Sequence, residues 1–255
     1  MPSEPAELRE GCLCKEGFFY ANPNDSLTKV HFGENKTTVV VPPSASFAVA
    51  QVEGALATLV SKGTQYDAIV IDPPWRNKSV KRLKSYFWDY ESSLLKLPLS
   101  QLLKSEGIVL LWITNNEGMQ TFVKERLLPA WKLRLVATML WLKVTSSGEP
   151  VYSISGFHKR PYEPLFVLQH LSCQDQSSSL AFERNVLVSV PSSIPGRKPP
   201  LTELIKRLLS ESEEPQVLEV FGRYLLPNTT TIGNEALKFQ VVESCFEEEE
   251  KDSCD

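Results

Sequence analysis

The sequence lacks any apolar run long enough to cross a membrane, for which about 18 consecutive residues are needed. Its start, MPSEPAELRE, has neither the basic segment nor the apolar segment of a secretory signal peptide. We therefore expect an intracellular chain that does not span a membrane and is not directed to secretion.

Motifs for metals and common nucleotides are also missing. The five cysteines are scattered, and the closest pair, Cys12 and Cys14, has no second pair or His-x3-His to complete a zinc site. The three histidines (His31, His158 and His170) form no metal-binding pattern. Neither G-x-G-x-x-G nor G-x-x-x-x-G-K-[ST] occurs, which removes the main support for a nicotinamide enzyme or a P-loop nucleotidase. We expect reduced thiols and no bound metal.

The formal net charge of -4 hides a basic segment. Residues 243–255 hold seven acids and one lysine, so the rest of the chain has a net charge of +2. Five cations and no acid lie within nine residues of this remainder: Arg76, Lys78, Lys81, Arg82 and Lys84. Such a stretch can be a solvated loop, but its charge density favours phosphate binding.

Strand and helix patterns alternate along most of the chain. TTVVV (37–41) predicts a short strand stopped by two prolines, and helical spacing follows from Phe47 to Val60. The run from Ala68 to Ile71 predicts a buried parallel strand leading to Asp72. Further strands are predicted at 107–115, 135–144, 164–170, 185–190 and 216–222, and helices at 119–131 and 201–210. We therefore expect an α/β fold whose sheet is largely parallel and doubly wound.

The motif Asp72-Pro73-Pro74-Trp75 carries the most specific chemistry. An aromatic amine is a poor nucleophile, and its methylation requires acceptors that hold the amino group; the Asp72 carboxylate and the Pro73 carbonyl supply two. The prolines stiffen the loop, and Trp75 can stack on a base, which is worth ~1–3 kcal/mol. In isolation the same four residues are equally compatible with a strand-ending turn that has a buried tryptophan.

Two later segments accompany this motif. FHKRPYEPLFV (157–167) places His158, Lys159 and Arg160 before a predicted strand that Glu163 starts, although alone it would suggest a surface turn. In LEVFGRYLLPNTTTIGNEALKF (218–239), Gly222 permits close backbone approach and Arg223 suits a carboxylate. The turn at 233–235 adds side chains that can reach ribose hydroxyls.

These motifs, in this order, resemble the MT-A type of adenine-N6 methyltransferases, and IDPPWRNKSVKR, WLKVTSSGE, HKRPYE and FGRYLLPN with GNEALKFQ resemble its methyltransferase-like-four branch most. The resemblance covers roughly 37–240. It implies a Rossmann-like fold with helices on both faces of the sheet, in which the catalytic motif precedes the cofactor motif. We accordingly divide the chain into an N-terminal extension (1–36), a methyltransferase domain (37–240) and an acidic disordered tail (241–255).

The resemblance also implies S-adenosylmethionine as cofactor and assigns roles by matching motif. The catalytic residues would be Asp72, Pro73, Pro74 and Trp75. Cofactor contacts would come from Asp72, Lys159, Arg223, Asn234 and Glu235, and substrate contacts from Asn77, Lys78, Lys81, Arg82 and His158. The chain departs from the branch at Pro227-Asn228-Thr229-Thr230, where the aromatic of P-N-W-T is lost, and an extension expected before the domain is nearly absent.

For this branch the resemblance implies methylation of adenine N6 in RNA, particularly in small nuclear RNA on adenosines already methylated at the ribose 2'-oxygen. Adenine in DNA is the alternative substrate. It further implies a nuclear protein, with the cytosol as alternative, acting as a monomer or with a partner subunit. Two rivals stay open: a catalytically silent RNA-binding subunit, against which the intact Asp72 argues, and an enzyme acting on a small molecule or a protein amide.

Overall fold

The fold is seen in a computed structural model that describes residues 9–10, 14–17, 19–32, 37–75, 91–154, 159–173, 186–209 and 214–241. Its strands, in chain order, are β1 (Arg9–Glu10), β2 (Cys14–Glu16), β3 (Phe19–Ala21), β4 (Thr28–Phe32), β5 (Thr37–Val41), β6 (Ser46–Ala48), β7 (Tyr66–Ile71), β8 (Leu103–Trp112), β9 (Leu133–Lys143), β10 (Tyr162–His170), β11 (Val186–Ser189), β12 (Val217–Val220) and β13 (Thr229–Ile232). Its helices are α1 (Val52–Ser61), α2 (Leu99–Leu102), α3 (Glu117–Phe122), α4 (Leu128–Trp131) and α5 (Thr202–Leu209), with a π-helical segment, Val123–Leu127, joining α3 to α4.

A ten-stranded sheet, in the order β11-β9-β10-β8-β7-β12-β13-β6-β3-β2, organises the molecule. Its centre, from β8 through β7, β12 and β13 to β6, is parallel throughout. β10 pairs antiparallel with both β8 and β9, and β3 pairs antiparallel with β6. The sheet is therefore mostly parallel, as the alternation of strands and helices predicted.

Helices cover both faces of this sheet, because successive strand residues point to opposite sides. Ile69 and Ile71 of β7 pack with α1 and with the helical residues 117–131. Ala68 and Val70 of the same strand pack instead with Leu201 and with Ile205 of α5. Residues 68–71 of β7 are apolar on both sides for this reason, and the expected α/β fold is confirmed.

A smaller sheet, β1-β4-β5, lies outside the main one. Val30, Val39 and Val41 of this sheet form a separate apolar cluster with Phe47 of β6 and with Leu225. The strand predicted at 37–41 is thus confirmed, but it belongs to this smaller sheet, where it pairs antiparallel with β4, rather than to the main sheet. The division at 36/37 stays a prediction, and residues 242–255 of the predicted tail lie outside the described residues.

The helix expected from Phe47 is wrong at its start. Residues 46–48 form β6, which pairs with β13, and the helix begins only at Val52. Phe47 and Ala48 are fully buried on opposite sides of a strand. Their short apolar run is compatible with a helix or with a strand, and pairing with the sheet makes it a strand. No described helix has the length and apolarity that a membrane span requires.

Candidate active site

Asp72 lies at the carboxyl edge of the parallel strands. It follows β7 directly, between β8 on one side and β12 on the other, and its backbone N–H donates to the Val220 carbonyl at 3.3 Å. The strands β7 and β12 therefore both terminate at this point. This is the edge at which α/β proteins bind their ligands.

Two cations hold the Asp72 carboxylate. Arg223 Nη2 donates to Oδ2 at 3.2 Å, and Lys198 Nζ lies 3.8 Å from Oδ1. The Asp72 side chain is only 16% exposed. Burial raises the pKa of Asp72 above its ordinary value, and the charges of Lys198 and Arg223 act in the opposite direction. The two cations thus counter the cost of keeping a carboxylate in this buried position.

Lys198 joins Asp72 to a second acid. Its ammonium donates to Glu163 Oε2 and lies 5.1 Å from the centre of the Trp112 ring, while Lys143 donates to Glu163 Oε1. Burial acts to raise the pKa of Glu163, but Lys198 and Lys143 outweigh it and the pKa is lowered. Acids and bases therefore alternate along the sheet edge, from β9 through β10 to the end of β7.

The two prolines and the tryptophan after Asp72 have different environments. Pro73 is buried and Pro74 is exposed. The Pro73 carbonyl accepts the Trp75 backbone N–H at 2.7 Å, and the indole Nε1–H of Trp75 donates to the Trp112 carbonyl at 2.7 Å. Trp75 is part-buried and packs on the main core, so its ring is fixed to the end of β8. The stacking role of Trp75 stays a prediction.

Arg223 is positioned by a glycine in the loop before α5. Its Nη2 also donates to the Gly196 carbonyl at 2.8 Å. Gly196 has φ of 79°, and a β-carbon there would lie 2.8 Å from Arg223 Nη1. A side chain at this residue would be strained by the positive φ and would displace the guanidinium, so glycine favours the Asp72–Arg223 pair.

A cavity of about 300 Å³ opens beside Asp72. This volume is at the lower end of the range of small-molecule sites. It brings together the Asp72 loop, the turn after β12 and the turn after β13, and its lining residues are Asp72, Pro73, Pro74, Phe221, Gly222, Arg223, Gly233, Asn234 and Glu235. The cavity thus unites the D-P-P motif with three of the residues predicted for the cofactor, Arg223, Asn234 and Glu235.

The remaining predicted residues lie elsewhere or are not described. Lys159 is exposed, and its Nζ lies 5.4 Å from the centre of the Tyr152 ring; it does not line the cavity beside Asp72. Its cofactor role stays a prediction. Five predicted substrate residues fall outside the described residues: Asn77, Lys78, Lys81, Arg82 and His158.

Several residues of the site have no clear signal in the sequence. Lys198 belongs to no motif, although a cation directly before two prolines and a helix could have suggested a fixed position. Glu219 sits inside an apolar strand and reaches the site only through the pairing of β12 with β7. Trp112 and Tyr224 contribute a ring and a hydroxyl, and the sequence around them gives no indication of it. The pairing of β12 with β7 and the loop before α5 bring these residues together.

The comparison with protein families decides how this site is interpreted. The MT-A70 family model matches residues 66–235, which span β7 with the D-P-P-W motif through to the turn at Glu235. The chain belongs to the MT-A70 family. Members of this family are generally S-adenosylmethionine-dependent methyltransferases.

Curated relatives of this MT-A70 chain are named for adenine methylation. It is 36% identical to the mouse "N(6)-adenine-specific methyltransferase METTL4" over 79% of the chain and 44% of the relative. It is 35% identical to the Caenorhabditis elegans "DNA N6-methyl methyltransferase" over 80% of the chain and 54% of the relative. It is 31% identical to the Pyricularia oryzae "N6-methyladenosine RNA methyltransferase MTA1" over 78% of the chain and 54% of the relative. The chain spans about half the length of these relatives.

Proposed function

We propose that this protein transfers a methyl group from S-adenosylmethionine to the N6 amino group of adenine in nucleic acid. The observation that carries the proposal is the position of Asp72: a part-exposed carboxylate, held by two cations, on the wall of a cavity large enough for a small-molecule cofactor. Membership of the MT-A70 family supports the same activity.

The cavity residues suit the polar groups of the cofactor. Arg223 offers a planar guanidinium to a carboxylate, and Asp72 offers an anion to an ammonium. Asn234 and Glu235, both exposed at the turn after β13, offer an amide and a carboxylate to ribose hydroxyls. The bound cofactor would supply an electrophilic methyl group on a positively charged sulfur.

The chain's own contribution is to orient the amine. The Asp72 carboxylate accepts one N–H of the adenine amino group. The Pro73 carbonyl, which uses one lone pair for the Trp75 N–H, has a second lone pair for the other. An exocyclic amine held by two acceptors points its nitrogen at the methyl group, so most of the rate comes from positioning. After transfer the amine would give up one proton to water, and S-adenosylhomocysteine would be the second product.

RNA is the proposed substrate, and small nuclear RNA with a 2'-O-methylated adenosine is its specific form. The basic residues 76–84 directly follow Trp75 in the sequence. On the described surface, Lys159 lies over Tyr152 and Arg160 donates to the Tyr162 hydroxyl at 2.7 Å. Tyr162 begins β10, which runs antiparallel to β8, so this pair of cations and rings lies at the same sheet edge as Asp72. Cations interleaved with aromatic rings suit phosphates and unstacked bases.

Adenine in DNA is the second candidate, because one relative carries that name. Phosphate contacts and stacking serve both nucleic acids equally, and a protein distinguishes them through the 2'-hydroxyl. We further propose that the protein is nuclear and acts as a monomer, and this rests only on the resemblance to the methyltransferase-like-four branch.

The test is transfer of labelled methyl from S-adenosylmethionine to matched RNA and DNA oligonucleotides, with and without 2'-O-methylation at the adenosine. Nucleoside mass spectrometry identifies the product. We expect N6-methylated adenosine with RNA, and none with Asp72→Ala, which should still fold and bind RNA. Full activity of Asp72→Ala would contradict the mechanism. RNA binding without any transfer by the wild type would instead indicate a silent RNA-binding subunit.

A further inference from the structure

Glu219 is a buried acid in the middle of β12 that the mechanism above does not use. It is 9% exposed, and its carboxyl group has no hydrogen-bond partner among the described residues. In the sheet Glu219 pairs with Val70 of β7. Asp72 lies two residues beyond Val70. The carboxylates of Glu219 and Asp72 therefore project from the same face of the sheet, two residues apart along the strand direction.

The side chain of Glu219 packs beside Gly222 and lines a small cavity together with Asp72. Its Cδ lies 3.3 Å from the point that a β-carbon on Gly222 would occupy, immediately before Arg223. Glu219 lines a cavity of about 20 Å³, which is also lined by Asp72, Trp112, Lys198 and Tyr224. A space this small holds about one water molecule and no part of a nucleoside. Glu219 therefore acts on substrates only through other residues.

The charged groups that face Glu219 come from four elements. Asp72 follows β7, Lys198 precedes α5, and Arg223 and Tyr224 follow β12. Glu163 of β10 acts through its ion pair with Lys198. The neighbouring strand β13 presents the neutral Thr229 and Thr231. Glu219 thus lies between one carboxylate, which repels its ionised form, and two cations already paired with other acids.

The protonation state of Glu219 decides whether it competes with Asp72 for Arg223. Burial, reinforced by the charge of Asp72, raises the pKa of Glu219 to about 8, so the side chain is neutral at pH 7. A neutral Glu219 leaves the Arg223 guanidinium to Asp72. An ionised Glu219 would repel the Asp72 carboxylate and attract the same guanidinium.

We propose that Glu219 is a positioning residue of the methyl-transfer site: as a neutral acid it packs beside the Asp72–Arg223 pair without competing for it, and when ionised it draws Arg223 away from Asp72. This inference rests on the proposed function for its effect on transfer. Its effect on the Asp72–Arg223 pair is independent of any reaction.

The first experiment measures kcat and KM for methyl transfer to an adenine oligonucleotide from pH 6 to about pH 9.5. We expect the wild-type kcat to fall about tenfold per pH unit above the Glu219 pKa. Glu219→Ala should lower kcat at neutral pH more than it raises KM, and the isosteric Glu219→Gln should recover that loss and remove the alkaline decline.

Asp67→Asn, which removes a buried carboxylate at the opposite end of β7, is the control and should keep the wild-type profile. The same alkaline decline in Glu219→Gln as in the wild type would overturn the proposal.

A second measurement separates this inference from the proposed function. Calorimetric binding of S-adenosylhomocysteine over the same pH range requires no transfer. We expect affinity to fall above about pH 8 more steeply in the wild type than in Glu219→Gln, where only the titration of the ligand's own α-amino group lowers it. If the wild type binds this compound without transferring methyl, the proposed function fails while the binding profile still tests Glu219. The same pH dependence of affinity in both proteins would refute the role of Glu219.

Discussion

The charge of Asp72 depends on Lys198. Burial raises the pKa of Asp72 and Lys198 lowers it, so removing the lysine should raise that pKa further. Because transfer needs the carboxylate, activity is present above this pKa and is lost as the pH falls through it. We therefore expect Lys198→Met to move the acid limb of log(kcat/KM) to higher pH. Lys206→Met, which removes a cation of α5 that pairs with Glu214, should leave that limb in place. A limb that shifts equally in both variants would show that Lys198 has no specific effect on Asp72.

Glu219 also makes stability depend on pH. Its pKa is about 8 in the folded chain and returns to the ordinary value of 4.5 when the chain unfolds, so the folded state binds more protons between these values. The free energy of unfolding therefore falls as the pH rises through this window. Glu219→Gln should be more stable than the wild type at pH 8, by on the order of 1.4 kcal/mol for each pH unit by which folding raises that pKa. Urea denaturation at pH 5 and pH 8 measures this, and a difference that does not grow with pH would contradict it.

The packing of the strands around the site depends on one close contact, between Gly222 and Thr231 of β13. After β12 the chain turns at Phe221, which has φ of 62°, and a β-carbon on the next residue, Gly222, would lie 2.3 Å from Thr231 Cγ2 on β13. Gly222→Ala should destabilise the fold by about 1–3 kcal/mol, because neither strand can move away without breaking the sheet. Gly54→Ala is the control: it lies in α1 with nothing within 4 Å, and alanine favours a helix. Thermal unfolding of both variants checks the difference, and equal melting temperatures would contradict it.

The strands of the core could be predicted from the sequence because burial on both faces requires unbroken apolar runs. Residues 68–71 of β7, 108–112 of β8 and 165–168 of β10 are of this kind. Strand direction could not be predicted in the same way, since an apolar run is compatible with either direction, and nothing in the sequence of β10 indicates that it is antiparallel to both neighbours. β13 is the polar segment TTTI and could not be distinguished from a loop.

The site could be predicted only in part, for a related reason. Asp72, Arg223, Asn234 and Glu235 follow strands or turns whose sequence marks them, and the structure brings them to one cavity. Lys198 and Glu163 lie 35 residues apart and meet across elements whose register no local pattern defines. Contacts of this kind depend on tertiary structure, so local patterns carry no information about them.

At the scale of the whole molecule, the net charge is negative, whereas a positive net charge is expected of an enzyme that binds nucleic acid. The net charge is negative because of residues 243–255, while the remainder is slightly positive. Affinity for nucleic acid therefore has to come from local clusters rather than from the overall field. The cations at 76–84, which directly follow the D-P-P-W motif, are the densest cluster of this kind in the sequence.

This distribution leads to a prediction on salt dependence. Reversing Lys81 and Arg82 to Glu should weaken RNA binding and reduce the slope of log K against log salt by roughly 0.7 for each phosphate that is no longer neutralised. Affinity for S-adenosylhomocysteine should not change, because the cavity residues are untouched. The control reverses Lys206 and Arg207, an adjacent Lys–Arg pair near the end of α5. Both variants alter the net charge equally, so the overall field changes by the same amount in each. A smaller slope in the first variant alone would assign the phosphate contacts to the 76–84 segment, whereas equal slopes in both would show that RNA follows another path across the surface.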